Sequence, residues 1–220
     1  MKFKITLRYL MFITGLFLMG MAISLTAKSN LGTTPIFSVP FLISLITPLS
    51  IGTLVFLLTL SFVILEFILL KGKFNKEQYM QLLLCPIFGF FVDTGMYVFR
   101  FVNPIDYFSK VVVLVIACFL LAFGIYIQII ANVVINPAEG LVKIISEKTG
   151  MKFGNVKILF DSTLLLIAII ISLSAFGKII SVREGTFVVA LATGSITKLY
   201  MSMFKKLGID RLSENKEPTD

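Results

Sequence analysis

The sequence predicts an all-α, polytopic membrane protein with six transmembrane helices in two inverted three-helix repeats. Of its 220 residues, 57% are hydrophobic and 15% are charged, whereas soluble domains carry about 25% charged residues. Several windows of about 20 residues have almost no charge, which is the length needed to cross a bilayer. Two connections between these windows can also be aligned with each other, which indicates the repeat.

Six apolar segments account for the predicted spans, at residues 5–27, 51–71, 79–99, 110–132, 155–176 and 185–205. The apolar core of the first segment exceeds that of a signal peptide, and no small-residue cleavage site follows it, so we expect a retained helix. Cys85 and Cys118 both lie inside spans. Disulfides form at aqueous, oxidising faces, so both cysteines are predicted to be packing residues.

The basic residues predict the orientation. Most of the 20 Lys and Arg residues fall in segments on the same side of the membrane as the N-terminus, and cytoplasmic segments are enriched in such residues. Both termini are therefore expected in the cytoplasm, in a bacterial inner (plasma) membrane. Residues 1–206 form a single predicted transmembrane domain, and residues 207–220 form a polar cytoplasmic tail.

Two connections are too long to be simple loops. Residues 28–50 are apolar and rich in proline, which predicts a broken or re-entrant helix buried in protein. Residues 136–150 predict a second short helix. Asn136 is placed to cap it, Pro137 suits its first position, Glu139 follows three residues after the cap, and Gly150 is placed to end it.

These two connections carry the internal repeat. A shift of 102 residues superimposes five identical pairs without a gap: Pro35 on Pro137, Ile43 on Ile145, Ser44 on Ser146, Thr47 on Thr149 and Gly52 on Gly154. With a small gap, Gly89 falls on Gly194 and Asp93 on Lys198. The repeats then cover about 1–105 and about 106–206. Because each holds an odd number of spans, the second is inverted, as in many secondary transporters.

Four stretches carry a family resemblance: "AKSNLGTTP", "GFFVDTG", "NPAEGLVKIISEKTG" and "REGTFVVALATGSITKLY". Together they resemble the YczE/YyaS/YitT group of bacterial integral membrane proteins. The resemblance implies the membrane fold over nearly the whole chain and, by analogy with some members, a transport role. The sequence departs from the group's pattern at Lys198 and at Arg183–Glu184.

Ionisable residues inside spans cost roughly 2.5–3.5 kcal/mol each on insertion scales, so they are candidates for coupling or for intramembrane ion pairs. Four lie in the predicted spans: Glu66, Asp93, Asp161 and Lys198. The inverted halves separate Asp93 and Lys198 by ~11 Å in depth. We therefore expect Lys198 to pair with Asp161, or as second choice with Glu66.

Asp93 is then left without a basic partner and is the candidate proton-coupling carboxyl. The alternatives are a hydrogen bond to Thr94 or to a helix backbone. Glu66 lies close to Lys71 at the end of its span, so its side chain has the alternative of reaching the membrane interface. Asp161 and Lys198 have the alternative of a purely structural ion pair.

Polar residues of the two connections form the predicted solute site, because helix N-termini offer unpaired N–H groups and favour anions. We expect the two segments to approach each other near the membrane midplane. The candidates are Asn30, Thr33, Thr34, Ser38, Gln128, Asn132, Asn136 and Glu139. The alternative is that the Ser, Thr and Asn side chains only cap short helices.

A small-residue face of the first span is formed by Gly20, Ser24 and Ala27. Such faces allow close helix contact, either within the chain or with a docked subunit. No nucleophile–base pair, metal-ligand cluster or phosphate loop is recognisable, and the chain has no His. An enzyme, a cofactor, a metal site and nucleic-acid binding are therefore not expected.

The leading hypothesis is a bacterial inner-membrane transporter of a small organic or anionic solute. The first alternative is a substrate-binding membrane component of an ATP-energised uptake system, and the second is an accessory or regulatory membrane protein. The expected partners are the lipid bilayer and a small-molecule solute, with a second copy of the chain or energising subunits as further candidates.

Overall fold

The computed structural model describes residues 2–72 and 76–206, and over these residues it contains eight α-helices and no β-strand. The helices are α1 (Lys2–Lys28), α2 (Pro35–Ile46), α3 (Ile51–Leu69), α4 (Lys76–Val98), α5 (Tyr107–Ala131), α6 (Pro137–Thr149), α7 (Phe153–Phe176) and α8 (Glu184–Lys206). The predicted polar tail at 207–220 lies outside the described residues.

Six of these helices are long and apolar enough to cross a membrane: α1, α3, α4, α5, α7 and α8. Each predicted span coincides with one of them to within about three residues, so the all-α, multi-pass prediction is confirmed. The other two, α2 and α6, have 12 and 13 residues. At about 18 and 20 Å they are too short to cross the hydrocarbon core, as predicted for short intervening helices.

The boundaries of α6 follow from local chemistry. Pro137 occupies the first helical turn and Gly150 ends the helix in the left-handed conformation, with φ 71°, as the sequence predicts. Asn136 stands at the predicted cap position, but its side chain makes no capping hydrogen bond. The start of the helix is therefore set by Pro137 and by the extended backbone before it.

Helix α1 lies at the centre of the bundle, packed on both α4 and α5. A methyl group added to Gly20 would meet the backbone of Phe91 on α4. The Ser24 hydroxyl, which is fully buried, donates to the carbonyl of Val92 at 2.8 Å. The Gly20/Ser24/Ala27 face thus makes contacts within the chain, which is the first of the two alternatives that the sequence offered, and the docking alternative is not the one found. Small residues were needed there because the helices approach so closely.

The two repeats have the same order of elements, a long helix, a short helix and two long helices. Their packing corresponds as well. The α1–α4 pairing matches α5–α8, α2–α3 matches α6–α7, and α2–α7 matches α6–α3. Each short helix therefore rests on the third helix of the other repeat, which interlocks the two halves.

One pairing breaks this correspondence. Helices α3 and α4 pack tightly where Gly52 faces Gly89, and a methyl group on either glycine would overlap the other's carbonyl oxygen. The equivalent helices α7 and α8 have no comparable packing. Their equivalent glycines, Gly154 and Gly194, face open space. The bundle is therefore open along the α7–α8 side.

Helix α8 is held to α5 by a cluster of four aromatic rings. Their centroids lie between 5.0 and 6.4 Å apart. The rings belong to Phe123, Tyr126, Tyr200 and Phe204. At its other end, the first turn of α8 binds the α1–α2 connection, with the Gly185 amide donating to the Leu31 carbonyl at 2.9 Å. These contacts fix both ends of α8 although it is separated from α7.

Candidate functional site

A cavity of about 590 Å³ lies where α5 ends and α6 begins, against α1. We call it the α6 cavity. Its polar lining includes four of the predicted site residues, Gln128, Asn132, Asn136 and Glu139, and it adds Lys143 one turn further along α6. The first turn of a helix presents unpaired amide groups and a partial positive charge. The cavity therefore combines amide, carboxyl and ammonium groups beside a helix N-terminus.

A second cavity, of about 210 Å³, lies where α1 ends and α2 begins. We call it the α2 cavity. It is lined by the predicted residues Asn30 and Thr33 and by two basic residues, Lys110 and Arg183. The predicted Ser38 is fully buried behind it, where its hydroxyl lies 3.1 Å from that of Thr33 and donates to the Thr34 carbonyl.

The eight predicted residues thus belong to two separate places, which corrects the expectation of one shared site near the midplane. The reason is that α1 and α5 run antiparallel over their full length. Arg8, near the start of α1, contacts the end of α5, whereas the start of α8 contacts the end of α1. The α2 and α6 cavities consequently lie at opposite ends of the bundle.

The cavities are related by the internal repeat. The shift of 102 residues places Asn30 on Asn132, and both adopt the left-handed conformation, with φ 56° and 45°. Asparagine tolerates this conformation better than most residues. Each asparagine turns the chain from a long helix into the connection that leads to a short one. Both connections therefore contain an asparagine in the left-handed conformation at the equivalent position.

An arginine holds the chain at each of these turns. The Arg8 guanidinium donates from Nε to the Ala131 carbonyl at 2.8 Å and from Nη2 to the Asn132 carbonyl at 2.7 Å. At the other end, Arg183 Nη1 donates to the Asn30 carbonyl at 3.0 Å. A cation stabilises the exposed carbonyls of a helix C-terminus. We call these contacts the arginine clamps.

The polar surroundings of the short helices differ. Behind the start of α6 lie Glu66, which is fully buried, and Gln81, which is 1% exposed. Both contact Gly140 in the first turn of α6, where an added methyl group would overlap the Glu66 carboxyl and lie 2.7 Å from Gln81 Nε2. The alternative that Glu66 reaches the membrane interface is therefore wrong. In the other repeat the same shift replaces Glu66 by Ala168, which is fully buried.

Asp93 has hydrogen-bond partners at the start of α3. Its carboxylate accepts from the Ser50 hydroxyl at 2.6 Å and from the Gly52 amide at 2.7 Å. The alternative of a bond to a helix backbone is thus the one found, whereas Thr94 donates to Phe90 in its own helix instead. A carboxylate at a helix N-terminus satisfies free amide groups and interacts favourably with the helix dipole. Asp93 therefore ties α4 to α3.

The predicted pair between Lys198 and Asp161 is wrong. Asp161 bonds to Lys157 on its own helix, with Nζ and Oδ1 2.8 Å apart. Lys198 is exposed on α8. The physical reason is the separation of α7 and α8, which places the two side chains on helices that do not pack together.

Glu139 lies at the rim of the α6 cavity, exposed on one side and flanked by protein on the others. This partial burial raises the pKa of the Glu139 carboxyl, and the nearby Asp161 carboxylate raises it further, whereas Lys157 lowers it. The burial effect is the largest because ionisation is disfavoured away from water. The protonated form of Glu139 is therefore favoured more strongly than that of a carboxyl in water.

Sequence reasoning missed several polar residues of these sites: Arg8, Gln81, Lys110, Lys143 and Arg183. A signal for two of them was present, since the shift of 102 residues also places Arg8 on Lys110. Gln81 lay inside an apolar span and was identifiable as a buried amide. Among residues 2–72 and 76–206, no group of three or more His, Cys, Asp or Glu side chains is placed to hold a metal ion.

Residues 6–202 match the model of a family described as a family of unknown function (DUF6198). No curated protein and no solved structure matches the chain.

Proposed function

Because the chain belongs to this family of unknown function, its activity has to be inferred from its own residues, and we propose that it is a secondary transporter of a small polar organic solute. We place it in a bacterial inner membrane with both termini in the cytoplasm, as its basic residues and its resemblance to the YczE/YyaS/YitT group favour. The observation that carries the proposal is the pair of repeat-related cavities at opposite ends of the bundle.

Alternating access follows naturally from this arrangement. Inverted repeats let one half move against the other, so that a site opens first to one side of the membrane and then to the other. Each cavity lies at a left-handed asparagine, Asn30 or Asn132, held by an arginine clamp. Releasing one clamp while the other remains closed provides two states, and a solute shifts their populations if it binds one better than the other.

The α6 cavity indicates the class of solute. Its volume of about 590 Å³ is within the range of roughly 300–1,000 Å³ that is usual for small-molecule sites. Glu139 and Lys143 line it one helical turn apart, and the ion pairs found among the described residues do not include them. A solute with both an ammonium and a carboxylate group suits these two side chains, with its ammonium near Glu139 and its carboxylate near Lys143.

The test is uptake by the purified protein alone in proteoliposomes, with a mixture of radiolabelled amino acids as the probe. We expect wild-type vesicles to accumulate label and Lys143→Met to reduce uptake at least about tenfold, which corresponds to roughly 1.4 kcal/mol. Lys148→Met is the matched control, since Lys148 is exposed in the last turn of the same helix. Equal uptake by Lys143→Met and wild type, or no uptake by the wild type, contradicts the proposal.

A second candidate function is a solute-binding membrane component that separate subunits energise. The observation that favours it is the open α7–α8 side, where Gly154 and Gly194 face open space. In the same vesicles this candidate predicts that label binds to the protein and is not accumulated.

A further inference from the structure

We propose that Glu66 is a proton-binding site that exchanges its proton with the α6 cavity through Gln81 and Gln128. Its role in coupling rests on the proposed transport function, whereas proton binding itself does not. The site differs from Asp93, the carboxyl that the sequence favoured for coupling.

The first argument is the burial of Glu66. Its side chain is fully inaccessible to solvent on α3, and its neighbour Gln81 on α4 is 1% exposed. An ionised carboxylate is costly in such a place, and a bound proton removes that cost. The start of α6, which Glu66 contacts at Gly140, offers a partial positive charge that favours the ionised form. Burial thus favours the neutral carboxyl and the helix N-terminus favours the carboxylate, and a site that binds a proton reversibly needs both effects.

The second argument is a hydrogen-bond acceptor without a partner on Gln81, the neighbour of Glu66. Gln81 Nε2 donates to the Ile135 carbonyl at 3.0 Å, which fixes the amide group. Its other atom, Oε1, is buried and has no hydrogen-bond partner among the described residues. Buried acceptors of this kind are almost always satisfied, by protein or by an ordered molecule. Gln81 Oε1 therefore indicates a donor that enters this place, such as a water molecule or the protonated carboxyl.

The third argument is a route to the outside. A small cavity of about 20 Å³ has Gln81, Gln128 and Asn136 among its otherwise mostly apolar lining, and this volume holds about one water molecule. Gln128 and Asn136 also line the α6 cavity. Gln128 Nε2 is a further buried atom without a partner among the described residues. The small cavity therefore links Gln81, which lies beside Glu66 at Gly140, to the polar residues of the larger cavity.

Titratable groups lie on several of the helices that pack against α3. From α4, the Cys85 thiol interacts with the Glu66 charge. The sequence of α2 contains no titratable residue. On α6, Glu139 and Lys143 line the α6 cavity, while Glu147 and Lys148 are exposed near the helix end. The proton is taken from water at the cavity and returned there, so Glu66 alternates between a neutral carboxyl and a carboxylate.

A proton suits this site better than a metal cation. A dehydrated cation needs several oxygen ligands. Around the small cavity the lining is mostly apolar, with Phe12, Leu16, Leu84 and Phe88 among its residues. One carboxyl and one amide oxygen do not form a coordination shell.

The direct test is pH-difference infrared spectroscopy of the full chain in lipid nanodiscs. Among the carbonyl stretching bands of protonated carboxylic acids that grow as the pH falls, we expect one band from a carboxyl shielded from water, and we expect Glu66→Gln to remove that band. Asp93→Asn is the matched control and retains the band. A band that persists unchanged in Glu66→Gln, or no titrating band in the wild type, overturns the proposal.

If Glu66→Gln does not fold, Gln81→Leu provides the second variant. It keeps the carboxyl and removes its amide neighbour, so the midpoint of the band's titration moves, and an unchanged midpoint overturns the proposal. Failure of the transport function is distinguishable. A titrating band in a protein that takes up no amino acid supports the proton site, whereas uptake without a titrating band overturns it.

Discussion

The two repeats share one plan but use it differently. In the first, α3 and α4 are joined through Gly52 and Gly89 and through the bonds from Asp93 to the start of α3. In the second, α7 and α8 are separate. Rigid packing between spans comes from small residues and satisfied polar groups, and the first repeat keeps both. We infer that the first repeat is the rigid part of the bundle and that the second supplies its opening.

The two short helices differ in the side chains that surround their first turns. The start of α6, in the second repeat, is backed by Glu66 and Gln81 from the first. The start of α2, in the first repeat, faces the hydroxyls of Thr33 and Ser38 and the cation of Arg183. The start of α6 is therefore backed by carboxyl and amide side chains, whereas the start of α2 has hydroxyl groups and a guanidinium around it.

The largest expected effect tests the difference in packing. Gly89→Ala should destabilise the protein by about 1–3 kcal/mol, because the methyl group would overlap the backbone of α3. The equivalent Gly194→Ala should be neutral or stabilise by up to about 1 kcal/mol, because a helical glycine is replaced in open space. Thermal unfolding in detergent, followed by circular dichroism, measures both. Similar shifts for the two variants would show that the repeats do not differ in this way.

The second prediction concerns the arginine clamps. Arg8→Ala removes two charge-assisted hydrogen bonds at the end of α5 and should cost about 1–2 kcal/mol. It should also speed maleimide labelling of a cysteine placed at Ile135, beside the α6 cavity. Arg183→Ala should do so only for a cysteine placed at Thr33, the equivalent position at the α2 cavity. Labelling that responds at both positions to either variant contradicts independent clamps.

The third prediction separates the cap from a coupling role for Asp93. The carboxamide of Asp93→Asn has only one oxygen, so it can accept from the Gly52 amide or from the Ser50 hydroxyl but not from both. The substitution should therefore lower the free energy of unfolding by about 1 kcal/mol. Lys198→Met, at the aligned position of the second repeat, should have no such effect because Lys198 is exposed. Thermal unfolding measures the difference. If Asp93→Asn removes the pH dependence of solute uptake without lowering stability, Asp93 has the coupling role and is not only a helix cap.

The fourth prediction concerns the pH dependence of stability that Glu139, in the first turn of α6, produces. Because burial raises the pKa of Glu139, folding favours its protonated form. Its contribution to stability is complete below the unfolded pKa of about 4.3 and is lost as the pH rises through the folded pKa. Glu139→Gln should remove this part of the pH dependence of the unfolding temperature. Glu184→Gln, at the exposed start of α8, is the control and should leave the profile as in the wild type.

The smallest expected effect concerns the ion pair on α7. The Lys157 and Asp161 side chains are each 27% exposed, and exposed pairs at this spacing contribute about 0.3–0.5 kcal/mol. A double-mutant cycle with Lys157→Met and Asp161→Asn should give a coupling of that size. A cycle that combines Lys198→Met with Asp161→Asn should give no coupling. A measurable coupling would contradict the separation of α7 and α8.

Sequence reasoning identified the spans and both short helices because length, apolarity, proline and glycine act locally. Pro137 and Gly150 bound α6 as predicted. The same reasoning could not tell which apolar face meets protein and which meets lipid, because both environments accept the same residues. The pairing of Lys198, the burial of Glu66 and the partners of Asp93 all depend on that choice. Asp93 and Ser50 are 43 residues apart in sequence, and no local pattern connects them.

The attachment of α8 has a consequence for how the protein is made. Chains emerge from the ribosome N-terminus first, and of the principal helix pairings only the one with α5 involves α8. The last two spans therefore have no need to enter the membrane as a hairpin. A chain that ends after Gly177 should already form a protease-resistant core of α1 to α7, and rapid degradation of this truncated chain in nanodiscs would show that the final helix is required earlier in assembly.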